Sequence, residues 1–205
     1  MKRIISISIP IIVSILLLSV GYADRWWREL QSTTVTKTAI YIPDEFSADV
    51  GFARDMSVHH AQAVLMATLL YDRTEDENLR FLAYDMLTTQ QAQIGMMRGW
   101  LDLWEYSPNS SEQPMAWMEM SMNDGMMPGM ATSEQLNQLE NLSGREAEIL
   151  FMELMIPHHE SGVIMANAAS EQAETKALKT LAWKMAQGQK NEIEYMQSWL
   201  DTNTP

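Results

Sequence analysis

Two segments of this chain repeat each other, and the repeat limits the fold to something built from two copies of one helical unit. FARDMSVHHAQAVLMA from Phe52 and FMELMIPHHESGVIMA from Phe151 align with Phe, Met, both His, Val, Met and Ala in register. All 4 histidines of the chain fall here, as the adjacent pairs His59-His60 and His158-His159. At the same constant offset Leu79 matches Leu178, Leu82 Leu181, Met86 Met185 and Gln90 Gln189. Ile94, Met97, Trp100, Leu101 and Asp102 then match Ile193, Met196, Trp199, Leu200 and Asp201. A gapless match over about fifty residues is the length of a helical hairpin, so two hairpins form one four-helix domain.

The spacing within each copy is helical. Phe52, Met56, His59, Ala63, Met66 and Leu70 recur at about 3.6 residues and form one apolar stripe centred on His59. His60 points about one hundred degrees away from it. The first helix is expected to start near Phe46 or Ser47, and the second, capped by Thr74-x-x-Glu77, to run to about Trp104 with Leu79, Leu82, Met86, Met97 and Leu101 inward. Thr132-x-x-Gln135 caps a short helix to about Asn141, and Ser143-x-x-Glu146 opens the second hairpin. Its leading helix turns Leu150, Phe151, Leu154, Met155, His158, Gly162 and Met165 inward and carries Pro157, which removes a backbone hydrogen bond and predicts a kink. The last helix spans about Thr175 to Asp201. No comparable strand signal competes, so the expected fold is all-α, a four-helix bundle of two duplicated hairpins: 46–104, then 143–203, joined by a linker over 105–142.

What precedes the bundle points to export. Lys2 and Arg3 lead an apolar run from Ile4 to Val20, followed by Gly21-Tyr22-Ala23, which fits a secretory cleavage site. A retained membrane anchor fits residues 1–23 as well, with Trp26 and Trp27 at the interface. Residues 24–45, rich in Ser and Thr from Gln31, form a spacer. Either reading puts the domain outside the cytoplasm, in a periplasmic or cell-surface position. A chain with 0 cysteines has no thiol to lose in that oxidising compartment, and no thiolate ligand or nucleophile either. A net charge of -13 argues against nucleic acid as a partner and suits a surface that tolerates or collects cations. The same acidity also serves solubility alone. Homo-oligomer formation is left open.

The candidate ligands are imidazoles and thioethers. In an antiparallel bundle His59 and His158 approach each other across the shared core, and Met56, Met155, Met66 and Met165 lie close to the same faces. His60 and His159 flank the stripes as outer ligands, supporting residues or surface residues. Soft thioethers favour Cu(I), imidazole accepts Cu(I), Cu(II), Zn(II) or Fe(II), and a donor set short of carboxylate disfavours magnesium, calcium and manganese. Methionine at helical spacing also fills cores, which suits Met86, Met97, Met185 and Met196. In the linker, Met115, Met118, Met120, Met122, Met126, Met127 and Met130 crowd together among Gly, Asn, Asp and Pro. Two readings apply: a flexible tract that collects Cu(I), or a lid packed over the bundle.

The pattern M-x-x-HH-x-x-x-V-x-MA in both copies, the following Q-x-x-x-I-x-x-M-x-x-WL and the intervening Met-Pro-Gly-Met strongly resemble the domain of unknown function 305 family from about 46 to 203. The resemblance implies a ferritin-like four-helix fold in exported or membrane-anchored bacterial proteins, some of them implicated in copper binding and tolerance. It carries the family's positions onto Met56, His59, His60, Met66, Met155, His158, His159 and Met165. Many relatives have Glu before the motif's last methionine, where this chain has Leu65 and Ile164. Three functions therefore compete: a non-enzymatic copper-binding protein, a metal-free helical interaction module, and a ferritin-like di-metal oxidase. The last wants Glu-x-x-His motifs that this chain lacks. Hydrolase or transferase chemistry has no motif to support it.

Overall fold

The computed structural model describes residues 40–120 and 125–204. Five α-helices occur among them and no strand: α1 Ala48–Arg73, α2 Glu77–Leu103, α3 Ser133–Asn141, α4 Gly144–Gln172 and α5 Lys176–Asn203, with a 3-10 turn at Ala116–Met118. The long helices pair as expected from the repeat. α1 packs along α2, α4 along α5, and the two hairpins meet chiefly through α1 and α4. Among the described residues no helix is long and apolar enough to cross a membrane. The signal or anchor reading of 1–23 lies outside the described residues.

The helix ends correct two details of the sequence reading. Thr132 and Gln135 do form a reciprocal capping box at the start of α3. α2, however, is capped by Asp76, whose carboxylate accepts from the backbone N–H groups of Asn78 and Leu79. Thr74 instead closes α1, its N–H donating to the Leu70 carbonyl, while its hydroxyl is engaged by Glu148 of the other hairpin. Ser143 stands at the N-cap of α4 but makes no side-chain capping bond. The Thr74 hydroxyl donates to Glu148 and accepts from the N–H of Asp76, one residue short of α2.

The core divides into two apolar clusters at opposite ends of the bundle. One joins Phe52 and Met56 of α1 to Met97 and Leu101 of α2, Met165 and Ala169 of α4 and Leu178 and Met185 of α5. The other joins Met66 and Leu70 to Leu79 and Met86, Phe151 and Met155, and Met196 and Trp199. The start of α1 thus meets the end of α4, which makes these two helices antiparallel. Phe52 and Phe151 are both fully buried, and each contributes about 1.5–3 kcal/mol of transfer free energy. Between the two clusters sit the histidines.

Two carboxylates in repeat register tie the hairpins together. Asp49, at the start of α1, is fully buried and accepts from the N–H of Glu174 at 2.7 Å and of Thr175 at 3.0 Å, and from the Thr175 hydroxyl. It therefore serves the N-terminus of α5, where Thr175 makes no side-chain cap of its own. Its counterpart Glu148, at the start of α4, accepts from the Thr74 hydroxyl at 2.6 Å and pairs with Arg145 at 3.3 Å. Each hairpin's first helix holds the turn of the other.

Candidate metal centre

The antiparallel crossing of α1 and α4 brings His59 and His158 face to face, with ring centroids 3.7 Å apart and planes tilted by 32°. Both are fully buried. Among the described residues none of their four ring nitrogens meets a hydrogen-bond partner in acceptable geometry. Met56 and Met165 lie in the cluster on one side of this pair, Met66 and Met155 in the cluster on the other, all four fully buried. Each side thus has one thioether from each helix.

His60 and His159 are not surface residues: both are fully buried. A helix inside a bundle has two packed neighbours, so two faces about one hundred degrees apart can both be interior. His59 faces the opposite hairpin, whereas His60 faces its own partner helix, where its Nε2 lies 2.7 Å from Oε1 of Gln93. His159 does the same toward α5, its Nε2 2.8 Å from Oε2 of Glu192. Nδ1 of both rings is buried and without a partner among the described residues. Gln90 and Gln189, another pair in register, are buried with unpartnered Oε1 atoms, and a Cβ on Gly162 would lie 2.3 Å from Oε1 of Gln189. The outcome is a polar layer of imidazoles and amides enclosed between two greasy clusters.

Burial keeps His59, His60 and His158 neutral. Burial pushes His59 down to about 3, helped by the neighbouring His60 and His159; the nearby Pro128 carbonyl offsets this only in part, without forming a well-aligned bond. Burial also takes His60 down to about 4, against the opposing effect of its Gln93 bond. His158 is held well below the usual imidazole range by burial and then by His59. A neutral imidazole is the form that offers a lone pair to a metal ion. Among the described residues no three His, Asp or Glu side chains gather as a ready-made cation site. The assembled donors are imidazole nitrogens bordered by thioethers, a set that fits a soft ion of low coordination number better than a carboxylate-loving one.

The linker closes over this layer. Asp55 accepts from the Met115 N–H at 2.8 Å and from the Trp117 indole N–H at 2.9 Å. Gln62 exchanges two bonds with Ala131, donating to its carbonyl at 3.0 Å and accepting from its N–H at 2.7 Å. Gly129, at φ +76°, lies so close to α4 that a Cβ would come within 2.3 Å of the Pro157 carbonyl oxygen. Met115 and Met127 are buried in the core cluster that holds Met56 and Met165, and Met118 and Met130 pack against it. Met120 and Met126 are exposed, and Met122 lies outside the described residues. Over its described part the linker is a packed lid, with two thioethers facing outward.

The sequence shows Gln90 and Gln189 as a matched pair without a role, and the reading missed Gln93 and Glu192 beside the histidines and Asp49 and Glu148 at the clamps. Each occupies an equivalent place in the two copies, so a search for polar residues in register would have found them.

Fold and site together define a duplicated four-helix protein with a buried histidine layer. The chain belongs to the family described as a domain of unknown function (DUF305), which it matches over residues 49–200. Among solved structures it is similar to a secreted DUF305 protein from Streptomyces coelicolor, at 48% identity and a TM-score of 0.74, covering 78% of this chain and 96% of that one. A DUF305 fragment from Deinococcus radiodurans follows at 29% identity and a TM-score of 0.64, covering 76% and 96%. CopM in its Cu(II)-bound form has 25% identity and a TM-score of 0.56, covering 74% and 94%; CopM is also known in Cu(I)-bound and silver-bound forms. No curated protein matches the chain.

Proposed function

We propose that this protein binds copper outside the cytoplasm and buffers or hands on the ion without catalysing a reaction. The carrying observation is the face-to-face pair His59 and His158, fully buried with every ring nitrogen unpartnered among the described residues. Burying an imidazole nitrogen without a partner costs about 1–3 kcal/mol, and a bound cation would recover that cost. His59 and His158 would be the central ligands, His60 and His159 would add their free Nδ1 atoms, and Met56, Met66, Met155 and Met165 would supply soft donors. Copper bound there would be held by imidazole nitrogens and by thioethers, which as soft donors favour Cu(I). Support comes from the copper-bound forms of CopM, a relative at 25% identity. The Lys2-Arg3 start with its apolar run, and likeness to a secreted relative, support the extracytoplasmic placement.

Silver(I), a redox-inert stand-in for Cu(I), provides the test. A ligand at about one hundred times its Kd stabilises the folded state by about 2.7 kcal/mol, so silver raises the thermal midpoint of the full chain. Replacing His59 and His158 by Phe keeps the layer filled and removes the donors. Loss of the silver-induced rise in that folded variant is the expected result; an unchanged rise refutes the central site.

A further inference from the structure

The duplicated site is not symmetric, and one of its differences lies beside the outer histidines. His60 meets Gln93, while the equivalent His159 meets Glu192. A glutamine amide carries an acceptor oxygen and a donor nitrogen, so it can serve either imidazole tautomer by turning over. An ionised carboxylate offers lone pairs only, and at 2.8 Å it requires a hydrogen on Nε2 of the His159 ring. In the neutral ring the lone pair then falls on Nδ1, which is buried and unpartnered among the described residues.

Resting on the copper reading above, we propose that Glu192 is a positioning residue that locks His159 in the Nε2–H tautomer. This makes Nδ1 of His159 the committed outer donor for a soft metal ion. The first hairpin lacks this lock, because Gln93 leaves His60 free to exchange between tautomers and to present a hydrogen where a metal needs a lone pair. Hydrogen bonding of a ligand imidazole to a carboxylate also raises its basicity as a donor, and loss of such a partner commonly costs 10–100-fold in metal affinity. The second hairpin therefore contributes the stronger outer ligand, and metal uptake favours it.

Long-range proton–nitrogen spectra of the metal-free full chain, labelled with nitrogen-15 in histidine, read each tautomer directly. His159 is expected as the Nε2–H form alone in the native protein and as a mixture in Glu192→Gln, a variant that preserves shape. In competition titrations with silver(I), H159A is expected to weaken binding more than H60A. E192Q should weaken it by roughly 10–100-fold and narrow that difference, and Q93E should strengthen it. An unchanged His159 tautomer in E192Q, or equal losses in H60A and H159A, overturns the inference while leaving the copper reading intact. Silver binding insensitive to His59, His158 and His159 alike overturns the copper reading, and this inference with it.

Discussion

His59, His60 and His158 are held neutral by burial, and this has a direct consequence for stability. The folded-state values of His59, about 3, and His60, about 4, lie below the ordinary 6.5, and His158 is shifted the same way. Below pH 6.5 the unfolded chain binds protons that the folded chain refuses. Stability is thus full above that value and falls as the pH drops toward the folded-state values, by about 1.4 kcal/mol per pH unit for each histidine. Urea denaturation at about pH 7 and about pH 5 measures the slope. The His59→Phe, His158→Phe variant is expected to lose much of it, and an undiminished slope would move the acid sensitivity elsewhere. At the same scale, Asp49→Ala strips the acceptor from two backbone N–H groups and a hydroxyl at the start of α5. A loss of about 1–3 kcal/mol in urea melts is expected.

At the scale of elements, the four long helices and the α3 capping box were legible because both are local patterns. Apolar residues recur at about 3.6, and Thr132 and Gln135 sit three apart with no rival partner. Thr74 offers its hydroxyl to the Asp76 N–H and donates to Glu148 across the bundle, a contact that no short-range pattern encodes. His60 and His159 were read as flanking residues because a single stripe was taken as the interior. In α1 and α4 a second face packs on the hairpin partner, which only the assembled bundle reveals. The linker was ambiguous from composition, since methionine suits both a pliable lid and a metal tract. Its docking through Asp55, Gln62 and Gly129 makes the described part a lid, and Gly129 is its most exacting point. Gly129→Ala adds a Cβ against backbone oxygen at a positive φ, which alone costs about 1–2 kcal/mol. Faster limited proteolysis of the linker is expected with α1, α2, α4 and α5 still folded by circular dichroism; native protease resistance would show that the lid does not depend on that approach.

Taken whole, the molecule uses duplication to place one unusual feature at its centre. Antiparallel packing of α1 and α4 brings equivalent histidines together, and the same operation puts a methionine of each helix on either side of them. Asp49 and Glu148 then fix how one hairpin sits on the other. A net charge of -13 gives the chain around this layer an acidic character. X-ray absorption at the copper edge of the Cu(I)-loaded full chain tests the central claim most directly. The account predicts nitrogen scattering from imidazole together with sulfur from thioether, with the nitrogen component diminished in the His59→Phe, His158→Phe variant. A spectrum of sulfur alone, or one unchanged by that substitution, would contradict it.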